Sequence, residues 1–247
     1  MSIPRLYLDD ELCDGAEVEA APGQAHHLGT VLRRGPGDEL RVFNPRDGEW
    51  AARVVSIRKD RARFALGARV RAATPEPDIR LLLAPLKRDA MDWAVEKATE
   101  LGAARITPVL TRRGITERAN TARLAAIARG AAEQCERLSV PGVAEAAPLH
   151  RVLDAWDGGS LVVAVERGAA PPLREIVTRL SHPLALLVGP EGGFEAAELD
   201  DLRRRPFVVP AALGPRILRA ETAAVAGLAA LQALAGDWTE ARASAPR

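Results

Sequence analysis

Five apolar residues in a row, Leu184-Ala185-Leu186-Leu187-Val188, run straight into Gly189-Pro190-Glu191-Gly192-Gly193-Phe194. A strand with one wet face alternates apolar and polar side chains, so an unbroken run reads as a strand buried on both faces. Pro190 has no N–H for a ladder, so the strand stops there. The glycines remove side chains where the backbone must turn tightly or approach a ligand. A second such turn, Leu213-Gly214-Pro215-Arg216-Ile217-Leu218-Arg219, runs into Ala220-Glu221-Thr222-Ala223. In an open α/β sheet both turns would emerge at the carboxyl ends of strands, where ligands bind. The first turn lacks the Lys-Ser/Thr ending of a phosphate loop and the glycine spacing of a dinucleotide fold. Glu191 would also repel a phosphate, by roughly 4 kcal/mol at about 4 Å and an effective dielectric near 20. A ligand with a positive centre, or one read mainly through backbone groups, fits better. The glycines alone are equally compatible with a plain β-to-α turn.

At 247 residues the chain allows one large domain or two modest ones. With 47% hydrophobic and 27% charged residues it is globular rather than disordered. Aromatic residues make up only 4%, which argues against a base-stacking platform. A net charge of +1 does not announce nucleic-acid binding, so local clusters must carry that case. Cys13 and Cys135 form no metal-type cluster with each other or with His26, His27, His150 and His182. No signal peptide or long apolar span is evident, so a soluble, cytoplasmic protein with no membrane partner is expected.

Residues 1–73 read as a small β-rich domain, with strands expected over 3–8, 40–43, 50–57 and 61–70 and a short helix over Gln24–Arg34. Arg5, Arg33 and Arg34 could form a cationic edge. The arginines at the helix end serve equally well to complement its dipole, with Gly35 closing the helix. Pro75 and Pro77 mark a linker. A second domain, 74–247, then alternates strands (80–84, 105–109, 161–165, 184–188, 207–209) with helices (87–101, 117–138, 171–180, 195–205, 220–235), as in a parallel sheet with covering helices. Gly102 is expected to cap the first of these helices and Pro141 to stop the second. The tail from Asp237, with Ser244 and Pro246, should fray.

The paired stretches GPEGGF and LGPRILRAETA closely resemble the RsmE-type methyltransferases of the SPOUT superfamily, and the resemblance extends over nearly the whole chain. It implies S-adenosylmethionine-dependent methylation of ring N3 of a uridine in small-subunit ribosomal RNA, within the assembled 30S subunit. The fold implied is a SPOUT-type parallel sheet with a C-terminal trefoil knot, preceded by a PUA-like RNA-binding domain. A homodimer with a shared active site is implied too, and no metal is expected from the Cys and His spacing. By the same resemblance Arg219, Glu221 and Thr222 are the catalytic candidates. Glu166, Leu187, Gly189, Pro190, Glu191, Gly192, Leu213, Gly214, Ile217, Leu218 and Ala220 are candidates for holding the cofactor. Arg5, Arg33, Arg34, Lys87, Arg112 and Arg137 are candidates for RNA contact. Glu136 stands where many members of the family have glycine, and Glu195 where they often have Ser or Thr. Each charged position also has a plainer reading: Glu221 as helix N-terminal charge, Glu166 as an exposed loop carboxylate, the helical lysines and arginines as solvated surface. Methylation at another RNA position, a ribose hydroxyl included, and RNA binding without catalysis remain open.

Overall fold

The computed structural model describes residues 3–115, 118–166 and 170–239. They form two compact units, one of residues 3–75 with Ala132–Val140, the other of Glu76–Ala131 with residues 141–239.

In the first unit β1 (Arg5–Tyr7), β2 (Glu17–Ala20), β3 (Glu39–Asn44), β4 (Gly48–Arg58) and β5 (Arg61–Arg71) make one sheet in the order β1-β3-β4-β5-β2. Strand β1 runs parallel to β3 and the other pairs are antiparallel. Ala62, Phe64 and Leu66 are buried beside Val18, Leu40 and Val54, so the expected period of two holds in β5. Strand β2 was not foreseen. Glu and Ala favour helix in isolation, but Val18 lands opposite Phe64 and the short alternation then buries Val18 and Ala20.

The helix expected over 24–34 takes another form. Helix α1 (Pro22–His26) passes into one π-turn, His27–Val31. The N–H of Leu32 donates to His27 O at 3.0 Å and that of Arg34 to Leu28 O at 2.9 Å. This widened ending puts Arg33, at φ 52°, in the left-handed position where glycine usually closes a helix. Gly35 lies beyond it and caps nothing, so Arg33 and Arg34 stand outside the helix.

Arg5 is a correction of a different kind. Its side chain and that of Glu49 are only 7% and 6% exposed, and Arg5 Nε donates to Glu49 Oε1 at 2.5 Å. Its Nη1 donates to Ala132 O (3.1 Å) and Glu133 O (3.0 Å), and its Nη2 to Arg137 O (3.0 Å). The guanidinium also lies 4.1 Å from the centroid of the Phe43 ring. Arg5 therefore works as an internal clasp and is not offered to RNA. Arg71 Nε holds the other Glu49 oxygen at 2.6 Å. Burial pushes the Glu49 carboxyl up, but these two guanidiniums outweigh it and hold the group below the ordinary carboxylate range.

In the second unit the strands are β6 (Ile79–Leu83), β7 (Arg105–Leu110), β8 (Gly142–Val143), β9 (Ala147–Pro148), β10 (Leu161–Ala164), β11 (Leu184–Val188) and β12 (Val208–Ala211). The sheet order is β12-β10-β11-β6-β7-β8, with β9 also on β7, and every pair is parallel. Helices α2 (Arg88–Glu100), α3 (Thr121–Gln134), α4 (Leu149–Asp154), α5 (Leu173–Ile176), α6 (Ala196–Arg204) and α7 (Ala220–Ala235) complete the order, with the last turn of α3 in the first unit. Ala185 and Leu187 of β11 pack with Leu149 and Leu153 of α4 and Leu202 of α6. Leu186 points the other way, to α7, where a Cβ on Gly227 would stand 2.6 Å from Leu186 Cδ2. The unbroken apolar run of β11 is thus explained by a helix layer on each face.

Gly102, at φ 80°, follows α2 as expected. Helix α3 does not reach Pro141. It ends at Gln134, and Glu136 takes φ 65°, the left-handed backbone suited to the glycine that the resemblance leads one to expect there. The last carbonyls of a helix have no intrahelical partner, and Arg5 supplies donors to those of Ala132 and Glu133. The expected start of this helix at Glu117 lies outside the described residues. The helix expected over 171–180 shortens to α5 and one 3-10 turn, Val177–Arg179. Strands β8 and β9 and helix α4 had no expected counterpart. The expected tail is described only to 239, where Asp237–Thr239 forms a 3-10 turn, so Ser244 and Pro246 lie outside the described residues.

Candidate active site

Both glycine-marked turns leave the carboxyl ends of strands, one after β11 and one after β12, with β10 between them. Strands lie about 4.8 Å apart, so the two strand ends are separated by roughly 10 Å. Glu166 follows β10 and so enters between the turns. Its Oε1 lies 3.4 Å from where a Cβ on Gly193 would stand.

The first turn is closed by the N–H of Gly193, which donates to Pro190 O at 2.8 Å, and Gly193 has φ 68°. A Cβ on Gly189 would stand 2.8 Å from the Phe194 ring, so glycine there makes room for an internal neighbour. Leu187 is fully buried in β11, in register with Val163 of β10 on one side and Leu82 of β6 on the other. Pro190 is buried, while Glu191 and Gly192 face solvent.

Residues after β7 brace this turn. Arg113 Nη1 donates to Gly192 O at 3.2 Å, and the N–H of Arg112 donates to Glu198 Oε1 at 2.9 Å. Glu198 Oε2 accepts the N–H of Glu195 at 2.9 Å, one half of a capping box at the start of α6. That bond satisfies the N–H of the N-cap residue itself. Arg112 Nη1 also lies 3.5 Å from Glu195 Oε2, in an exposed pair worth about 0–1 kcal/mol that leaves the guanidinium accessible. Arg113 and Glu198 were not singled out from the sequence. Neither sits in a glycine motif: the strand order β11-β6-β7 brings Arg113 to one, and the first turn of α6 brings Glu198.

The second turn is built the opposite way. Among the described residues none makes a hydrogen bond to the backbone of 214–218. Gly214 has φ 128°, and Ile217 is 60% exposed. Arg219 is the exposed N-cap residue of α7, and its carbonyl accepts the N–H of Ala223 at 2.8 Å. Ala220 is buried and Thr222 exposed. Glu221 Oε2 is buried without a hydrogen-bond partner. A desolvated carboxylate oxygen of this kind costs free energy until something donates to it.

The other candidates for RNA contact belong to both units. Lys87 is the exposed N-cap residue of α2 after β6. In the first unit Arg33 is exposed, Arg34 is half-buried, and Arg137 Nη2 donates to Ser139 Oγ at 2.7 Å. Lys97 bridges Glu96 and Glu100, and Arg123 pairs with Asp92, so these helix charges serve local pairing. Among the described residues no group of three or more His, Cys, Asp or Glu could hold a metal ion.

Two turns at the carboxyl ends of parallel strands lie where an open α/β sheet receives a ligand, and comparison with known proteins specifies the class. A model of the RNA methyltransferase domain matches residues 74–232, and one of the RNA methyltransferase PUA domain matches residues 22–66. The ribosomal RNA small subunit methyltransferase E of Rickettsia conorii is 31% identical over 242 residues, 97% of this chain and 99% of that protein. The chain belongs to this methyltransferase E family. Two solved structures agree. A putative methyltransferase of Legionella pneumophila, in complex with the bound cofactor SAM, aligns with a TM-score of 0.87 and 30% identity over 96% of this chain and 100% of that one. The methyltransferase E of Neisseria gonorrhoeae, bound to S-adenosyl methionine, aligns at 0.86 and 31% over the same shares. The β-rich first unit thus carries the PUA domain of a methyltransferase E, and the parallel sheet carries its methyltransferase domain.

Proposed function

We propose that this chain methylates ring N3 of a uridine in small-subunit ribosomal RNA, with S-adenosylmethionine as methyl donor. The observation that carries the reading is the pair of unlike turns on either side of Glu166, in a family whose members include structures solved with that cofactor. The residues present suit the cofactor. Glu191 on the first turn, Glu221 just after the second and Glu166 at the strand end between them are carboxylates, which suit the cationic sulfonium and amine. The unengaged backbone of 214–218 can read a heterocycle, and Glu221 Oε2 awaits a donor. We assign the backbone at Leu187, Gly189, Pro190, Glu191 and Gly192, and at Leu213, Gly214, Ile217, Leu218 and Ala220, to holding it, with Glu166 beside the first turn.

The cofactor brings a methyl group already activated by a positive sulfur. The protein must align uridine N3 with it, and proximity of that kind supplies several kcal/mol. N3 is a poor nucleophile while protonated, so its proton must leave or charge on O2 and O4 must be stabilised. Arg219, exposed at the mouth of α7, supplies the positive charge for that oxygen or for a phosphate. Glu221, two residues on, orients Arg219 or takes the proton, and Thr222 lies exposed beside them. Arg33, Arg34 and Arg137 in residues of the PUA-bearing unit, and Lys87 and Arg112 in the other, are assigned to RNA phosphates.

The division 1–73 and 74–247, the trefoil knot, a homodimer, a cytoplasmic location and the assembled 30S subunit as substrate belong to the same proposal. For the knot, the supporting observation is the route of the chain. Strand β12 is the edge of the sheet, yet α7 packs on β11, so residues 212–219 cross the strand ends between them. Calorimetry with S-adenosylmethionine, followed by mass spectrometry of nucleosides from treated 30S subunits and naked RNA, tests the reading. Binding plus N3-methyluridine on subunits is expected. A methylated ribose or another base would move the target, and no binding would remove the enzyme.

A further inference from the structure

We infer that Arg113 is a positioning residue for the methyl-donor site: its guanidinium sets the plane of the Gly192–Gly193 peptide. The inference rests on the proposed cofactor site, and it concerns a residue outside both glycine motifs.

Glycine lacks the Cβ that confines other residues, so a Gly-Gly peptide turns over more readily than any other. Here that peptide is held at both ends. Its N–H, from Gly193, donates to Pro190 O at 2.8 Å, and its carbonyl, from Gly192, accepts Arg113 Nη1 at 3.2 Å. The Arg113 side chain also lies along the turn, with Cβ 3.6 Å and Cδ 3.9 Å from where a Gly192 Cβ would stand. Arg113 comes from the segment after β7, two strands away from β11 across β6. It is kept over the turn by its neighbour Arg112, whose N–H is fixed by Glu198 at the start of α6. The turn and the segment that braces it therefore form one unit, anchored on α6 and closed by Arg113 on the glycine carbonyl. Without Arg113, Gly192 O has only solvent and the Gly193–Pro190 hydrogen bond alone holds the peptide, so the turned-over orientation gains population. Only one of them presents the surface that receives the cofactor. The apparent affinity then falls by the fraction of molecules holding the competent orientation.

The test uses the full chain. Arg113→Ala should weaken S-adenosylmethionine binding by about fivefold in calorimetry, the scale of one partly exposed charged hydrogen bond. Turnover at saturating cofactor should stay within about twofold, and Arg113→Lys, which can still donate to Gly192 O, should recover most of the affinity. In the cofactor-free protein, amide exchange at Gly193 should quicken in Arg113→Ala and not in Arg113→Lys. Unchanged affinity with unchanged exchange would overturn the inference. So would turnover lost at saturating cofactor with affinity intact, since Arg113 would then serve RNA. If the parent protein binds no S-adenosylmethionine the enzyme reading fails by itself, and the exchange rates still decide whether Arg113 fixes the peptide.

Discussion

The turn after β11 and the turn after β12 share glycine, proline and a following helix, yet they are held in contrary ways. The first is braced by Arg113 on Gly192 O, by Glu198 on two backbone amides and by the Phe194 ring against Gly189. The second has no described partner along 214–218 and ends on an exposed arginine. One region is shaped in advance; the other keeps its hydrogen-bonding groups for whatever arrives. Glycine marks where the chain turns, and the neighbours decide whether the turn is stiff.

The contrast would break most plainly at Arg219. Arg219→Ala should cut turnover about 10²–10³-fold, as expected on losing a group that stabilises charge in the transition state, while calorimetric cofactor affinity stays within about twofold. If affinity fell as far as turnover, the two turns would not divide binding from chemistry. Glu49→Gln is a control remote from both. Removing one charge of a buried pair should cost about 3 kcal/mol of stability at neutral pH and leave cofactor affinity unmoved. Because the folded pKa of Glu49 is lowered, its contribution is complete above the ordinary carboxylate pKa and disappears as the pH falls through the lowered one. The gap in unfolding free energy between parent and variant should therefore close on acidification; a gap independent of pH would deny the ion pair.

Gly189→Val sharpens the comparison on the braced side. The new Cβ meets the Phe194 ring at 2.8 Å, so about 1–3 kcal/mol should be lost in denaturant unfolding, and cofactor affinity with it. Gly214→Ala meets nothing within 4 Å and bears only the strain of φ 128°, about 1 kcal/mol. Equal losses in the two variants would mean that both turns are equally packed. The smallest effect belongs to Arg33→Ala, which should reduce the salt slope of RNA binding by about 1 without touching the cofactor.

The parts of the fold legible in the sequence were those with a long, unambiguous period. The run at 184–188 gave a buried strand, and the apolar stretch 220–235 gave α7 to the residue. Strand β2 escaped because three of its four residues favour helix, and the stretch becomes a strand only when β5 pairs with it. Strands β8 and β9, two residues each, carry no period at all. At the site, the glycines were visible and their bracing was not. The contact between Arg113 and Gly192 joins residues 79 apart through the strand order, which no local pattern encodes. Arg5 was misread for a related reason: an arginine near surface-like sequence gives no sign that a carboxylate and three carbonyls wait for it. Gln232, buried in an Ala- and Leu-rich helix, could have been noticed as the odd polar residue. Its Nε2 donates to Leu101 O at 2.8 Å, tying α7 to the end of α2.

The Arg5 clasp has a bearing on how this protein can be cut and recombined. Its guanidinium closes on carbonyls 127 residues further along the chain or more, so the β-rich unit is finished with material lent by the end of α3. A fragment stopping at the proline linker would keep Glu49 and Arg71 but leave two guanidinium nitrogens facing nothing. The N-terminal unit is therefore no interchangeable cassette: transplanting it between relatives requires carrying the distant helix end along with it.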